Sequence, residues 1–437
     1  MNKKYRAPAY PLLALFLLFA LFSCNEDPVF QPLTQETIDL GQANSDSIEI
    51  ILNSGSEYVE LEVATGLPAF LIGRAEEIKT IVIQEFAVPD TLGYIEASDI
   101  ISSEIYFHHE NYGWGNLENP HLEFNVHTLE DDIFKYNKWE DINLSKMGEF
   151  PSSSFSSDLI FPESTTITPD ESVTILNFDT SVIARWLQIR GDGNSATISG
   201  RETKTFTSED RTNAYTIAIK PSDNSNIITR YRNEVTGYND QGDLIAKRAK
   251  IKVVYKDPID TNITRTIWLN SQFNKTFFNA PQPQDRKSLT IQAGATIRAN
   301  LFFNLTKHIP KYAGIISAEL HITLNQSKSK FSNEKQDSIL SADLLGILSQ
   351  RPPIWDFRGY RESNTDKYIF RNMAAAFDIW ASGDNYGRIY FSWQKNFESL
   401  NELLYLDKHV FYGPDAEDPK KRPKLIVFYY ERKGLGN

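Results

Sequence analysis

Apolar and polar residues alternate with a period of two along most of this chain. Leu122, Phe124 and Val126 alternate with polar neighbours, and residues 318–324 repeat the pattern. Successive side chains on a strand point to opposite faces, so this period predicts half-buried strands of antiparallel sheets. Helical periodicity is confined to short stretches around residues 338–348 and 372–380. We predict an all-β fold.

An internal repeat indicates two copies of one β-domain. Residues 100–107 (IISSEIYF) line up with residues 315–322 (IISAELHI). Each copy follows an apolar strand and a proline, precedes a tryptophan (Trp186 or Trp380) in an apolar run, and ends in a strand that reaches a tyrosine. Four landmarks in one order predict two tandem domains, residues 45–256 and 257–432. Residues 147–172 are rich in Ser, Thr and Pro, which predicts an irregular loop.

The N-terminus has the three parts of an export signal. Lys3, Lys4 and Arg6 precede a short apolar run, and a small residue, Ser23, stands before Cys24. The run is too short to span a bilayer, which fits a signal peptide over residues 1–23. The Leu-x-Ser-Cys ending resembles a bacterial lipobox, which implies that Cys24 carries the lipid.

Residues 24–44 are expected to form an acidic, flexible tether. Its start, Asn25-Glu26-Asp27-Pro28, resembles the acidic segment that directs some lipoproteins to the outer leaflet of the outer membrane. We therefore expect a surface-exposed, lipid-anchored protein, and attachment facing the periplasm is the alternative. Cys24 is the one cysteine of the chain, so internal disulfides and thiolate metal sites are excluded.

Charge narrows the range of partners. The formal net charge is −12, and removal of residues 1–23 takes away three cations and no acids, which makes the mature chain about −15. Nucleic-acid binding relies on clustered Lys and Arg, so we expect no nucleic-acid partner. The expected partners are the outer membrane through the lipid anchor, a polysaccharide, or other envelope proteins.

Several motifs of the second half resemble the DNRLRE domain family, a group of β-sandwiches related to carbohydrate-binding modules. The matching residues are Leu301-Phe302-Phe303-Asn304-Leu305 before Pro310, Ile316-Ser317-Ala318-Glu319-Leu320, Trp380 to Gly387, and Arg422-Pro423-Lys424-Leu425. The first half departs more: residues 190–194 replace the Asn-Tyr-Gly turn, and the Arg-Pro pair is lost. The resemblance implies two antiparallel, jelly-roll-like β-sandwich domains and makes glycan binding plausible, and it transfers no binding residue.

Catalytic and metal-binding motifs are scarce. The sequence has no Gly-x-Ser-x-Gly elbow, Walker loop or dinucleotide-binding turn, so we expect no enzymatic activity and no cofactor. His108, His109, His121 and His127 lie close together in sequence near Glu110. A turn could bring His109 or Glu110 near His121 as zinc ligands. Adjacent strand residues point to opposite faces, however, and we expect no metal site here.

Aromatic residues in turns are the candidate ligand contacts. Tyr112 and Trp114 lie among glycines and amides, and Tyr386, Tyr390 and Trp393 form a second group. A ring with one apolar and one wet side can stack on a sugar, although each ring could instead pack against its own sheet. We expect a non-catalytic surface protein that binds carbohydrate or another envelope component. A structural or protein-interaction subunit of an outer-membrane complex is the alternative.

Overall fold

A computed structural model describes two large antiparallel β-sheets. The described residues are 47–48, 55–58, 67–88, 95–129, 142, 153–158, 173–188, 215–238, 244–279, 287–292, 294, 297–304, 309–310, 313–334, 339–346, 356–382, 386–392 and 404–430. The expected signal peptide, Cys24, the tether over residues 24–44 and Trp393 lie outside them. The all-β, antiparallel class predicted from the period-two pattern is confirmed.

The first sheet takes ten strands from the first two thirds of the chain. They are β3 (Ala69–Ala75), β4 (Ile78–Ala87), β5 (Ile100–Gly115), β6 (His121–Leu129), β7 (Ser153–Asp158), β8 (Val173–Asn177), β9 (Thr216–Pro221), β10 (Ile227–Arg232), β13 (Lys250–Lys256) and β14 (Thr264–Asn279). A separate hairpin pairs β11 (Glu234–Tyr238) with β12 (Leu244–Lys247). Strand β7 lies inside the Ser/Thr/Pro-rich stretch and pairs with β6, so the loop expected there is interrupted.

The second sheet takes two strands from the N-terminus and nine from the C-terminal part. They are β1 (Ser47–Ile48), β2 (Gly55–Tyr58), β15 (Ser288–Gln292), β16 (Ile297–Asn304), β17 (Gly314–Thr323), β18 (Ile339–Gly346), β19 (Asp356–Arg361), β20 (Lys367–Phe370), β21 (Tyr386–Ser392), β22 (Lys408–Tyr412) and β23 (Lys424–Tyr430).

The two sheets share one strand order. The second runs β23-β17-β20-β19-β18-β21-β16-β15-β22. The first contains β13-β5-β8 and β7-β6-β9-β4-β3-β10, with β10 returning to pair with β5. The repeated segments found in the sequence are β5 and β17, and each pairs with the last strand of its copy.

Strand pairing does not follow the division expected after residue 256. Strand β14 pairs with β13 and β4, so the first sheet extends to Asn279. Strands β1 and β2 pair with β23 and β16, so the N-terminal strands belong to the second sheet. Strand pairing over long sequence distances, which period-two alternation does not specify, causes this difference.

Each sheet packs one of its faces on an apolar core of its own. Alternate residues of β5, such as Ile105 and Phe107, are fully buried in the first core. Leu320 and Ile322 of β17 occupy the matching place in the second core. Burying side chains of this size contributes roughly 1.5–3 kcal/mol each. The period-two pattern of these strands therefore reflects burial, because alternate side chains point into the core of their own sheet.

Two short helices occur at equivalent points of the two copies. Helix α1 (Thr180–Gln188) carries Trp186, which is buried against Phe86 and Phe178 as the sequence predicts. Helix α2 (Ala374–Ser382) confirms the helical stretch expected around residues 372–380. The other expected helix, around residues 338–348, is wrong: this stretch is strand β18, paired with β19 and β21. A short apolar run fits a buried strand as well as a helix, and pairing decides between them.

Candidate functional site

The rings that the sequence analysis assigned to a ligand surface are buried between the two halves of the molecule. Tyr112 and Trp114, at the end of β5, are fully buried. They pack with Leu71 and Ile228 of the first sheet and with Ile297 and Leu406 of the second half. A buried ring cannot stack on a sugar, so the expected ligand role of Tyr112 and Trp114 is corrected to an interface role.

Polar contacts fix Tyr112 in this interface. Its hydroxyl accepts a hydrogen bond from the backbone N–H of Leu406 at 2.7 Å, and its ring meets the ring of Tyr405 edge to face. Burial, followed by the charge of Asp407, raises the pKa of Tyr112 well above its ordinary value. Next to it, Asn333 donates its backbone N–H to the carbonyl of Gly113 and accepts the N–H of Gly113 on its side chain.

Arg230 of β10 is the charged centre of the interface. Its guanidinium pairs with Glu110 of β5 and with Glu334 of the second half. The same group lies 4.5 Å from the ring centroid of Tyr112 and 4.8 Å from that of Tyr405. Burial alone lowers the pKa of Arg230, but the two carboxylates outweigh it and hold the pKa above its ordinary value. These ion pairs therefore join the two halves of the molecule.

Replacing Tyr112 by phenylalanine should lower the free energy of unfolding by about 1–3 kcal/mol, because the buried N–H of Leu406 loses its acceptor. Urea denaturation of the variant measures this loss. The matched control is Tyr360→Phe, because Tyr360 is 51 % exposed and its change should stay within about 0.5 kcal/mol. Equal losses in the two variants would show that the Tyr112–Leu406 hydrogen bond does not contribute.

Among the residues that the structure describes, the histidine cluster is not brought together as a ligand set. Tyr386 and Tyr390 lie in β21, and the structure describes only their backbone. His109 Nε2 lies 2.6 Å from the hydroxyl of Thr229. Glu110 forms ion pairs with arginines. His121 lies 3.8 Å from Glu123. Among the described residues, no group of three or more His, Cys, Asp or Glu could hold a metal ion.

An aromatic pair, of which one ring is exposed and the other half-buried, lies on the outer face of the first sheet. Trp268 of β14 is 38 % exposed, and its ring meets the ring of Tyr106 of β5 edge to face at 5.2 Å. The ammonium of Lys250, on the strand between them, lies 4.5 Å from the Trp268 centroid. Burial and the nearby Glu104 raise the pKa of Tyr106 to about 12, and burial lowers the pKa of Lys250.

Polar groups surround this pair across four adjacent strands. Glu104 accepts the Tyr106 hydroxyl at 2.8 Å and faces Lys252 at 3.6 Å. Ile175 of β8 lies opposite Tyr106 and is half exposed. We name this surface, formed by Trp268, Tyr106, Lys250, Lys252, Glu104 and Ile175, the outer aromatic face. It offers two rings, an apolar side chain and charged hydrogen-bonding groups on one face of the sheet.

The outer aromatic face was not predicted from the sequence, although the alternation of apolar and polar positions in β14 indicates it. In β14 the buried side chain of Leu269 is followed by the exposed Asn270, and Trp268 falls on the exposed side of the same alternation. A tryptophan on the polar side of an alternating strand points away from the core of its own sheet, and it faces solvent where no other segment covers it. Tyr106 stands in the same way between the buried Ile105 and Phe107.

The second sheet carries a related pair at the equivalent place. His321 of β17 aligns with Tyr106, and Glu319 aligns with Glu104. His321 Nε2 lies 3.1 Å from Glu319, as the Tyr106 hydroxyl lies beside Glu104. Arg371 lies 3.5 Å from the same carboxylate. Both copies thus place a ring and a carboxylate two residues apart on the outer face of their central strand.

Comparisons with known proteins add no assignment. No family model matches the chain, and no curated protein matches it. A solved structure described as "Structure of infectious bursal disease virus Gt strain" is 8% identical and covers 88% of this chain and 80% of that chain. Its TM-score of 0.10 carries no argument about fold or function. The resemblance to the DNRLRE family stays a prediction. No helix among the described residues is long and apolar enough to cross a bilayer.

Proposed function

We propose that this chain is a non-catalytic cell-surface lipoprotein, anchored through Cys24, that binds carbohydrate on the outer aromatic face of its first sheet. The observation that supports binding is the pair of the exposed Trp268 and the half-buried Tyr106, with Lys250 and Glu104 beside it. Sugars present apolar C–H faces to rings and hydroxyls to charged or amide groups, and this surface offers both. A surface that spans four adjacent strands suits a chain of sugars better than a single small ring.

The proposed location rests on the N-terminal sequence. A basic start, a short apolar run and Leu-x-Ser-Cys support lipid attachment at Cys24, and the acidic stretch that follows supports display at the cell surface. With more than one acyl chain, the anchor is firm enough to hold the folded part at the membrane.

A second candidate function is a protein-interaction subunit of an envelope complex. The turn between β13 and β14 displays Ile259, which is 79 % exposed, together with the partly exposed Ile263. Asp257 fixes this turn, since its carboxylate accepts the N–H groups of Ile259 and Asp260 and pairs with Arg265. A rigid turn that displays two isoleucines suits contact with an apolar protein surface.

Replacing Trp268 and Tyr106 together by alanine should weaken carbohydrate binding by about tenfold or more, because the two rings together lose stacking area worth on the order of 1.4 kcal/mol. A glycan array of the mature chain, with Cys24 replaced by serine, identifies the ligand, and affinity electrophoresis then measures the loss. The matched control is Tyr360→Ala, an exposed ring on the second sheet. Its binding should be unchanged.

The stability of the double variant separates binding from folding. Both side chains lie on the solvent side of the sheet, so the free energy of unfolding should change by no more than about 1 kcal/mol. Unchanged glycan retention in the double variant would overturn the assignment of this face. Absence of any glycan ligand, with capture of an envelope protein that depends on Ile259, would favour the second candidate function.

A further inference from the structure

The leading strands of the two copies lie in each other's sheets. Strand β14 immediately precedes β15, the first strand of the second copy, yet it pairs with β13 and β4 of the first sheet. Strands β1 and β2 precede β3, the first strand of the first copy, yet they pair with β23 and β16 of the second sheet. Each leading segment therefore completes the sheet of the other copy.

Register shows that the two segments occupy one equivalent position. In β14, Leu269 lies opposite Ile251 of β13, which in turn lies opposite Ile105. In β1, Ile48 lies opposite Leu425 of β23, which in turn lies opposite Leu320. Ile105 and Leu320 are matching residues of the internal repeat. Ile48 is therefore the counterpart of Leu269.

The far ends of the segments agree as well. Asn279 lies opposite Lys79 of β4, and Tyr58 lies opposite Ile297 of β16. Lys79 pairs with Arg74 of β3, and Ile297 pairs with Gln292 of β15, so these partners match strand for strand. Tyr58 follows Ile48 by the same number of residues as Asn279 follows Leu269. The two segments therefore occupy equivalent positions at both of their ends.

We propose that each copy carries a strand-acceptor site, and that the leading segment of the other copy within the same chain fills it. In the second sheet the site lies between the edges of β23 and β16, and β1–β2 is its occupant. Backbone hydrogen bonds to two edges recognise an extended segment with little dependence on side chains, as in strand addition. The exchange is intramolecular because the two segments belong to one chain and meet at high effective concentration.

The exchanged strands join the two halves by backbone hydrogen bonds, in addition to the side-chain contacts of the interface. Separating the halves would expose two unpaired edges in each sheet, which costs hydrogen bonds and creates surfaces for aggregation. The Arg230 network and the exchanged strands therefore act on the same separation. The two halves are expected to unfold as one unit rather than in two steps.

Engineered disulfides test the exchange directly, because Cys24→Ser leaves a chain without thiols. Residues directly opposite each other on neighbouring strands lie close enough for a disulfide. The exchanged arrangement places Ser47 opposite Ile426 and Trp268 opposite Lys252. The unexchanged arrangement would place Ser47 opposite Lys252 and Trp268 opposite Ile426. Four double-cysteine variants of the full mature chain cover both arrangements.

We expect the two variants of the exchanged arrangement, 47–426 and 268–252, to oxidise to monomeric disulfides at least tenfold faster than the other two, 47–252 and 268–426. Non-reducing electrophoresis follows the oxidation, and peptide mass spectrometry identifies the disulfide. Each substitution occurs once in each set, so a folding defect from one substitution slows both sets equally. Faster oxidation of the 47–252 and 268–426 variants would overturn the exchange. A covalent dimer from the 47–426 variant would overturn its intramolecular form and identify a second copy as the strand donor.

Discussion

Replacing Arg230 by alanine is expected to lower the free energy of unfolding by about 3–5 kcal/mol, because it removes the cation that two mostly buried carboxylates share and leaves their charge less compensated. Glu110 and Glu334 come from different halves of the molecule, and Arg230 is their shared cation. The rings of Tyr112 and Tyr405 lose their cation at the same time. Urea or guanidinium unfolding, followed by tryptophan fluorescence, measures the loss.

Two further variants show whether the loss comes from buried charge. Arg74→Ala removes an arginine whose partner, Asp223, is exposed, so it should cost no more than about 1 kcal/mol. Arg230→Met combined with Glu110→Gln and Glu334→Gln removes all three charges, and it should be more stable than Arg230→Ala. A loss as large for Arg74→Ala as for Arg230→Ala would contradict the special role of the interface.

Acid should destabilise the fold strongly between pH 6.5 and pH 4. Burial lowers the pKa of His109 and of His409 to about 4, with the cations Arg230 and Arg361 adding to the shift. Above pH 6.5 both histidines are neutral in the folded and unfolded chains. As the pH falls, the unfolded chain takes up protons first, so stability is lost. Each histidine contributes about 1.4 kcal/mol per pH unit in this window. Over the whole window the loss is about 3 kcal/mol for each histidine.

The variant His409→Leu isolates one of these contributions. His409 is fully buried between Phe331 and Phe411, so leucine suits the apolar surroundings. The dependence of unfolding free energy on pH, measured by denaturation from pH 7 to pH 4, should become shallower by about 1.4 kcal/mol per pH unit. The slope is independent of any constant stability change caused by the substitution. An unchanged slope would show that His409 does not titrate on unfolding.

Local pattern was sufficient for much of the fold. Alternation around residues 122–126 and 318–324 corresponds to strands β6 and β17, and the aligned segments 100–107 and 315–322 occupy equivalent strands. Trp186 is buried, as its apolar surroundings predict. These features depend on the period of side chains along a single strand. That period is present in the sequence itself.

The candidate site was less predictable, because composition does not report exposure. The segment holding Tyr112 and Trp114 has the glycines, amides and rings of a binding turn, yet it is the end of a long strand covered by the second half. Trp268 has few such neighbours and is exposed. Whether a ring is covered depends on which distant segment packs on it. Leu406 and Asn333 cover this strand end from more than 200 residues away along the chain.

The sequence by itself determined the all-β class, the duplicated order of strands and the sides of the strands that face the cores, since each follows from side-chain periodicity. It also indicates lipid attachment at Cys24, which lies outside the described residues. Only the tertiary structure decided where the first sheet ends, which leading segment completes which sheet, and which rings stay exposed. Those outcomes depend on pairing between strand edges whose backbone groups are alike in every sequence, so the global packing of the two halves selects among them.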